Sequence, residues 1–233
     1  MEKKENIKNK KHIVILTGAG ISAESGLNTF RDTNGLWEGY NVYEVATPQG
    51  FATNPQLVLD FYNMRRKEIA NAKPNAAHVG LTELEKDFNV TIITQNIDDL
   101  HERAGSSNII HLHGEIFKMR NVQNNNKIYD IRNDINMGDT DENGIQLRPH
   151  IVWFEEPVPM IEEAANITST ADIFIVIGTS LLVYPAAGLI DYAPAFAQKI
   201  IIDKKIPSTN IKNIIKIEAP ASEGVQQLKQ YLY

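Results

Sequence analysis

Cysteine is absent from the 233 residues. That removes disulfides, thiol nucleophiles, iron–sulfur clusters and every cysteine-ligated zinc site. Long apolar runs are also missing; none approaches the ~20 residues that a membrane-spanning helix needs. Positive charge is not in excess: Lys plus Arg is 23 against 29 for Asp plus Glu, a net charge of −6. A general nucleic-acid binder is usually basic, so no direct nucleic-acid contact is expected. The basic start, MEKKENIKNKK, is followed only by the short apolar run 13–16. That run is too short for a signal peptide, so the segment reads as a frayed tail. These features predict a soluble, cytoplasmic protein with no membrane partner. Hydrophobic residues at 42% and charged residues at 22% are ordinary for a globular chain, which argues against disorder.

Six short runs are rich in β-branched residues: 12–16 (HIVIL), 90–94 (VTIIT), 108–112 (NIIHL), 173–177 (IFIVI), 199–202 (KIII) and 214–217 (IIKI). Such runs read as strands buried on both faces, as in a parallel sheet. Helical patterns lie at 76–86, 157–169, 186–198 and 222–232. The alternation predicts an α/β fold, a Rossmann-like doubly wound parallel sheet. Two stretches interrupt it. Residues 35–74 carry no strand signal but hold a helical segment at 56–71, and residues 114–149 are polar, with NNNK and GDTDENG reading as hairpin turns. The expected division is a Rossmann-like domain of residues 12–34, 75–113 and 150–233, with a small lobe built from two insertions, 35–74 and 114–149. A cleft between the two is a common place for a ligand.

The first run is followed by Thr17-Gly18-Ala19-Gly20-Ile21-Ser22-Ala23, which fits G-x-G-x-x-G/A after a strand. The glycines permit a tight turn and close backbone approach to a pyrophosphate, and a following helix N-terminus would favour the negative charge. No strand ending in an acidic residue follows about 20 residues later, where a dehydrogenase holds its ribose. The chain instead runs on as ESGLNTFRD and then Gly35-Leu36-Trp37. This segment resembles the sirtuins, the NAD-dependent protein-lysine deacylases. Four further stretches are similar to family signatures: Thr94-Gln95-Asn96-Ile97-Asp98 running on to Gly105, His113-Gly114-Glu115, Val152-Trp153-Phe154, and Gly178-Thr179-Ser180-Leu181 with Val183, Pro185 and Ala186. They run in family order over nearly the whole chain.

The resemblance implies NAD as co-substrate, an acyl-lysine protein as partner, and a role for each matching position. The loop of Gly18, Ala19, Gly20 and Ser22 would cradle the pyrophosphate. Asn96, with a catalytic role, and Asp98 would hold the nicotinamide ribose and carboxamide, and Ile97 and Trp37 would also bind the cofactor. Phe30 would cover the reactive face, Arg31 would support phosphate and ribose, and Gln95 would contact the ribose. Gly178, Thr179, Ser180, Asp203 and Ala221 would meet the adenosine half. His113 would be the general base that deprotonates a ribose hydroxyl, a task suited to a side chain whose ordinary pKa lies near neutrality. The products would be lysine, nicotinamide and O-acyl-ADP-ribose. Val152, Trp153 and Phe154 would bind substrate.

The sequence also departs from the family. Most sirtuins carry four zinc-binding cysteines in the small lobe; here that region has none, so no zinc is expected, and packing of Ile128, Tyr129, Ile131 and Ile145 is expected to hold it. Glu155 stands where the family usually has glycine, and Asp203 where asparagine is frequent. His111, two residues before His113, would share its face in a continuous strand and looks like half a metal site, but no third ligand is placed and no metal is assigned. His101 is expected to pack within its motif. Ala46, Tyr62 and Arg65 stand in a context similar to the sirtuins that accept acidic acyl groups, in which a small residue makes room and a Tyr and an Arg meet the carboxylate. A protein ADP-ribosyltransferase on the same fold, a non-catalytic NAD or ADP-ribose binding module and a hydride-transferring oxidoreductase are the alternatives.

Overall fold

The computed structural model describes residues 10–28, 36–37, 39–123, 127–179, 181, 183–206 and 214–233. All six apolar runs form strands: β1 (His12–Thr17), β4 (Asn89–Thr94), β5 (Ile109–His111), β9 (Ile173–Ile177), β10 (Gln198–Asp203) and β11 (Ile214–Glu218). They make one parallel sheet in the order β11-β10-β9-β1-β4-β5. The chain leaves β1 toward β4 and β5, and later returns to β9 on its other side. The point where strand order reverses therefore lies between β1 and β9, where ligands bind in open α/β sheets.

Alternate strand residues point to opposite faces. Ile13, Ile15, Ile92, Ile175 and Ile202 pack with Leu81 of α4 (Ala76–Leu84) and Val225 of α7 (Ala221–Gln227). Val14, Leu16, Ile93, Phe174 and Val176 pack on the other face with Ala164 of α6 (Ile161–Thr168) and with Leu189 and Ile190. Both faces are covered, as the unbroken apolar runs require.

Three of the expected helices are shorter or broken. The 157–169 pattern becomes helical only from Ile161, after Pro157 and Pro159. The 186–198 pattern is a 3-10 helix, Ala186–Tyr192, followed by Pro194. The C-terminal pattern divides into α7 and α8 (Lys229–Leu232), with Leu228 N–H reaching back three residues to Val225. The glycine loop leads not into an α-helix but into two 3-10 turns, Ala19–Ile21 and Ala23–Ser25. Gly20, Ser22 and Gly26 are poor helix formers there.

The small lobe combines both insertions. The first holds a two-stranded ribbon that the sequence did not signal, β2 (Leu36–Trp37) with β3 (Tyr40–Asn41), then α1 (Val42–Val45), α2 (Pro48–Thr53) and α3 (Pro55–Asn71). Thr47 and Asn54 side chains cap α2 and α3, each followed by a proline at the first helical position. The second holds an antiparallel sheet, β7 (Ile128–Asp130), β6 (Gly114–Asn121) and β8 (Leu147–Ile151). The short α5 (Leu100–Ala104) lies between β4 and β5 in the main domain.

Polar groups tie the insertions together. Asn63 of α3 donates to the Ile135 carbonyl and accepts from the Ile135 N–H, each at 2.9 Å. Buried Arg66 donates to the carbonyl of Ile116 and to the Asn63 side chain. Asn121 donates to Asp141 at 2.7 Å, tying the end of β6 to the turn that precedes β8. The apolar core is Leu59, Ile135 and Leu147, against which Tyr129 and Ile131 pack. Of the residues expected to hold this lobe, Ile128 is instead 44% exposed and Ile145 is half-buried outside the cluster. Both lie on the polar hairpin, and the buried positions go to residues facing α3.

Asn63→Ala strands both backbone groups of Ile135 and removes an acceptor from Arg66. It should cost about 2–3 kcal/mol in denaturant titration. With no cysteine to hold zinc, EDTA should leave the thermal midpoint of the wild-type protein unchanged.

Candidate active site

A cleft of about 840 Å³ opens over the C-terminal ends of β1 and β9 and extends to the small lobe. The two loops at its floor pack backbone to backbone. Gly18 N–H donates to the carbonyl of Ile177, and Gly20 N–H to that of Gly178 at 2.8 Å. A Cβ on Gly20 would lie 2.6 Å from the Gly178 Cα, and Gly178 itself has φ +64°. Only glycine fits at either position, which explains the glycines at the ends of two strands far apart in sequence.

The loop after β4 supplies the polar wall. Asn96 Nδ2 donates to the Gly18 carbonyl and to Ser22 Oγ, both at 3.2 Å. Ser22 Oγ donates to Asp98 at 3.0 Å. Gln95 Nε2 donates to Thr179 Oγ1 at 3.1 Å. Burial pushes the Asp98 carboxyl up, against hydrogen bonds from Leu100 N–H and Ser22 that favour its charged form.

Two histidines hold this loop, His111 at the end of β5 and His113 in the link from β5 to β6. His113 Nδ1 meets the Gln95 carbonyl at 3.0 Å, and His111 Nδ1 meets the Asn96 carbonyl at 3.2 Å. A carbonyl only accepts, so each Nδ1 carries the proton. In neutral His113 that leaves Nε2 as a lone pair, the form a general base requires. Burial lowers the His113 pKa, with the Gln95 carbonyl opposing in part. His111 differs: burial also acts to lower it, but Glu102, 2.6 Å from Nε2, carries the net shift upward. Among the described residues, the carboxylates and imidazoles clustered with His111 are Glu102 and Glu115, not His113. Ligand atoms of His111, Glu102 and Glu115 lie within 4.8 Å of one another, but Glu102 is bonded to His111 and Glu115 pairs with Lys118 at 2.7 Å. His101 is buried as a packing residue, but its contacts lie outside its own motif, with Thr17 Oγ1 of β1 and the His78 ring of α4.

At the small-lobe end the Tyr62 hydroxyl accepts from Trp153 Nε1 at 3.0 Å. Burial pushes the Tyr62 pKa up, so the phenol keeps its proton for a further acceptor. The Arg65 guanidinium lies 5.6 Å from the Trp37 ring centroid and pairs with Glu68 at 2.8 Å. Behind Trp153, the Arg148 guanidinium sits 3.2 Å from its ring centroid and is bound to Glu156, which also accepts from Trp153 N–H. The carbonyl of buried Ala46 accepts from Phe154 N–H at 3.0 Å.

The cleft lining includes Gly18, Ala19, Gly20, Ser22, Trp37, Ala46, Tyr62, Arg65, Gln95, Asn96, Ile97, Asp98, His113, Val152, Trp153, Phe154, Gly178, Thr179, Asp203 and Ala221. Phe30, Arg31 and Ser180 lie outside the described residues. Sequence reasoning missed the Arg148–Glu156 support, because neither residue has a local signature for contacting Trp153. It also missed Lys204 and Lys205, which line the cleft at the end of β10; their position directly after Asp203 was the available signal.

Fold and cleft together define an α/β protein with a ligand crevice at the sheet's reversal point and an oriented, neutral histidine facing into it. A family model described as the Sir2 family matches residues 18–185, and the chain belongs to that family. It is 53% identical to an NAD-dependent protein deacylase of Bacteroides thetaiotaomicron, over 95% of this chain and 98% of that one. It is 51% identical to an NAD-dependent protein deacylase of Helicobacter pylori, over 94% and 96%. Among solved structures, a Sir2 homologue in complex with NAD superposes with TM-score 0.84 at 38% identity, covering 97% of this chain and 92% of the other. A Sir2 protein bound to acetylated peptide gives 0.79 at 30%, covering 96% and 94%.

The two loop-holding histidines should titrate on opposite sides of the ordinary value of 6.5, His113 below and His111 above. By linkage, His111 should stabilise the fold fully below pH 6.5, a contribution lost as pH rises through its raised pKa. Histidine-ring NMR titration measures both, and Glu102→Gln should bring His111 down. A His113 ring titrating above His111 would contradict the assignment.

Proposed function

We propose that this Sir2-family enzyme, an NAD-dependent protein deacylase, removes succinyl or malonyl groups from lysine, with acetyl-lysine as a further substrate. The observation that carries the acyl preference is the convergence of Tyr62 and Arg65 on the small-lobe end of the cleft, beside Ala46. Both are buried. An acyl carboxylate placed there would accept the free Tyr62 O–H and share the Arg65 guanidinium with Glu68. Glu68 is 41% exposed on its side chain, so water screens that pair and leaves it able to give way. A plain acetyl group has no charge to meet these donors.

The NAD assignment rests on the floor of the cleft. The Gly18–Gly20 backbone permits close approach of a pyrophosphate, and Asp203 at the end of β10 offers an acceptor to a ribose hydroxyl. Asn96 and Asp98 then lie toward the nicotinamide ribose. When nicotinamide leaves, the acyl-lysine oxygen bonds to the ribose carbon. His113 Nε2 takes the proton of a ribose hydroxyl, whose oxygen attacks the acyl carbon. Water completes the exchange, giving free lysine, nicotinamide and O-acyl-ADP-ribose. Trp153 and Phe154 shield the reacting centre from bulk water.

His113→Ala should lower turnover about 10²–10⁴-fold while NAD still binds. The acid limb of the kcat profile should fall below pH 6.5, because activity needs the neutral ring and burial lowers its pKa. Arg65→Met should cost succinyl-lysine about 2–5 kcal/mol and acetyl-lysine little, since only the former carries a charge to strand. The measurement is the ratio of kcat/KM for the two substrates. An unchanged ratio would remove the acidic-acyl preference and leave a deacetylase.

A further inference from the structure

Glu155 occupies a backbone position that disfavours it. It is the third residue of a four-residue turn, Trp153 to Glu156, closed by Glu156 N–H donating to the Trp153 carbonyl at 3.1 Å. Its φ is +71°, in the left-handed region where a Cβ is strained and where glycine is the usual choice. Such an outlier at the edge of a site points to a task for the side chain.

The surroundings indicate the task. Glu155 is exposed and lines the cleft directly after Val152, Trp153 and Phe154. Among the described residues it makes no hydrogen bond or ion pair. The other carboxylates of the lining are engaged: Asp98 with Ser22 and Leu100 N–H, Glu156 with Arg148, and Asp203 with Lys205 N–H. Arg65, the cation nearest the acyl end, is paired with Glu68. The rim beside Val152–Phe154 thus carries one uncommitted carboxylate, held out on a strained turn. The turn is itself anchored, because Phe154 N–H binds the Ala46 carbonyl and Val152 N–H binds the His113 carbonyl at 2.9 Å. The position of the Glu155 backbone relative to His113 is therefore set by backbone hydrogen bonds, and the side chain projects from that point.

We propose that Glu155 is a specificity-determining residue: it selects acyl-lysine sites with a Lys or Arg within two residues of the modified lysine, and it disfavours acidic neighbours. This rests on the deacylase reading and on Val152–Phe154 as the segment along which the peptide lies. An extended peptide advances about 3.3 Å per residue, so a long basic side chain one or two residues from the acyl-lysine reaches the rim while the acyl group points toward His113. Opposite charges at such a rim act mainly on encounter and register, and they are screened by salt.

The test uses acetyl- and succinyl-lysine peptides of one length, with Arg, Gln or Glu beside the modified lysine, and reads kcat/KM ratios within each enzyme variant. Wild-type enzyme should favour the Arg over the Glu peptide about three- to tenfold, less at raised KCl. Glu155→Gln keeps the side-chain length and the positive φ and removes only the charge; its ratio should approach one. Glu155→Lys should invert the ratio. Ratios cancel any general loss of activity or stability in a variant. A wild-type ratio near one, or a preference that survives in Glu155→Gln, would overturn the inference while leaving deacylation intact. No turnover on any peptide would overturn the deacylase reading and this inference with it.

Discussion

Two successive carbonyls, those of Gln95 and Asn96, organise the site. Each accepts a hydrogen bond from a histidine, the first from His113 just after β5 and the second from His111 at its end. These bonds fix the loop after β4. The side chains of the same two residues then reach across the sheet, Gln95 to Thr179 after β9 and Asn96 to Gly18 and Ser22 after β1. Three strand ends and the edge strand β5 are joined by one polar network over the reversal point. The network also chooses the His113 tautomer. A half-satisfied network of this kind would be costly, and a fully bonded one makes the geometry rigid. His111 is the structural partner in this arrangement, and Glu102 is the group that holds it.

The small lobe solves a different problem. Without cysteine, a four-thiolate zinc centre cannot form. The second insertion is held instead by α3 of the first, through Asn63 and Arg66, and by its own Asn121–Asp141 bond. The same helix carries Tyr62 and Arg65 to the cleft. One helix therefore both braces the lobe and presents the groups proposed to meet an acyl carboxylate. The residues differ: Asn63 and Arg66 face the inserted sheet, whereas Tyr62 and Arg65 face Trp37 and Trp153.

Much of this was legible in the sequence because its signals are local. The β-branched runs such as IFIVI can only be strands buried on both faces, and they gave the parallel sheet. The loop glycines marked the ends of β1 and β9. What stayed hidden depends on contacts between distant segments. Nothing near Asn63 marks it as the partner of Ile135, and Arg148 has no local pattern that ties it to Trp153. The expectation for Ile128 failed because apolarity on a hairpin does not reveal which residues face a helix. The glycine loop suggested a helix start, but Gly20, Ser22 and Gly26 gave 3-10 turns. Glu155 was visible as a departure from a glycine position, whereas its positive φ required the structure.

The proposed reaction couples nicotinamide release in this cleft to acyl transfer onto ADP-ribose. It is tested most directly by mass spectrometry of NAD incubated with the enzyme and succinyl- and acetyl-lysine peptides. Equimolar nicotinamide, free lysine peptide and O-acyl-ADP-ribose are expected, with the succinyl product forming faster. ADP-ribose attached to the peptide with its acyl group retained, or NADH in place of nicotinamide, would contradict it.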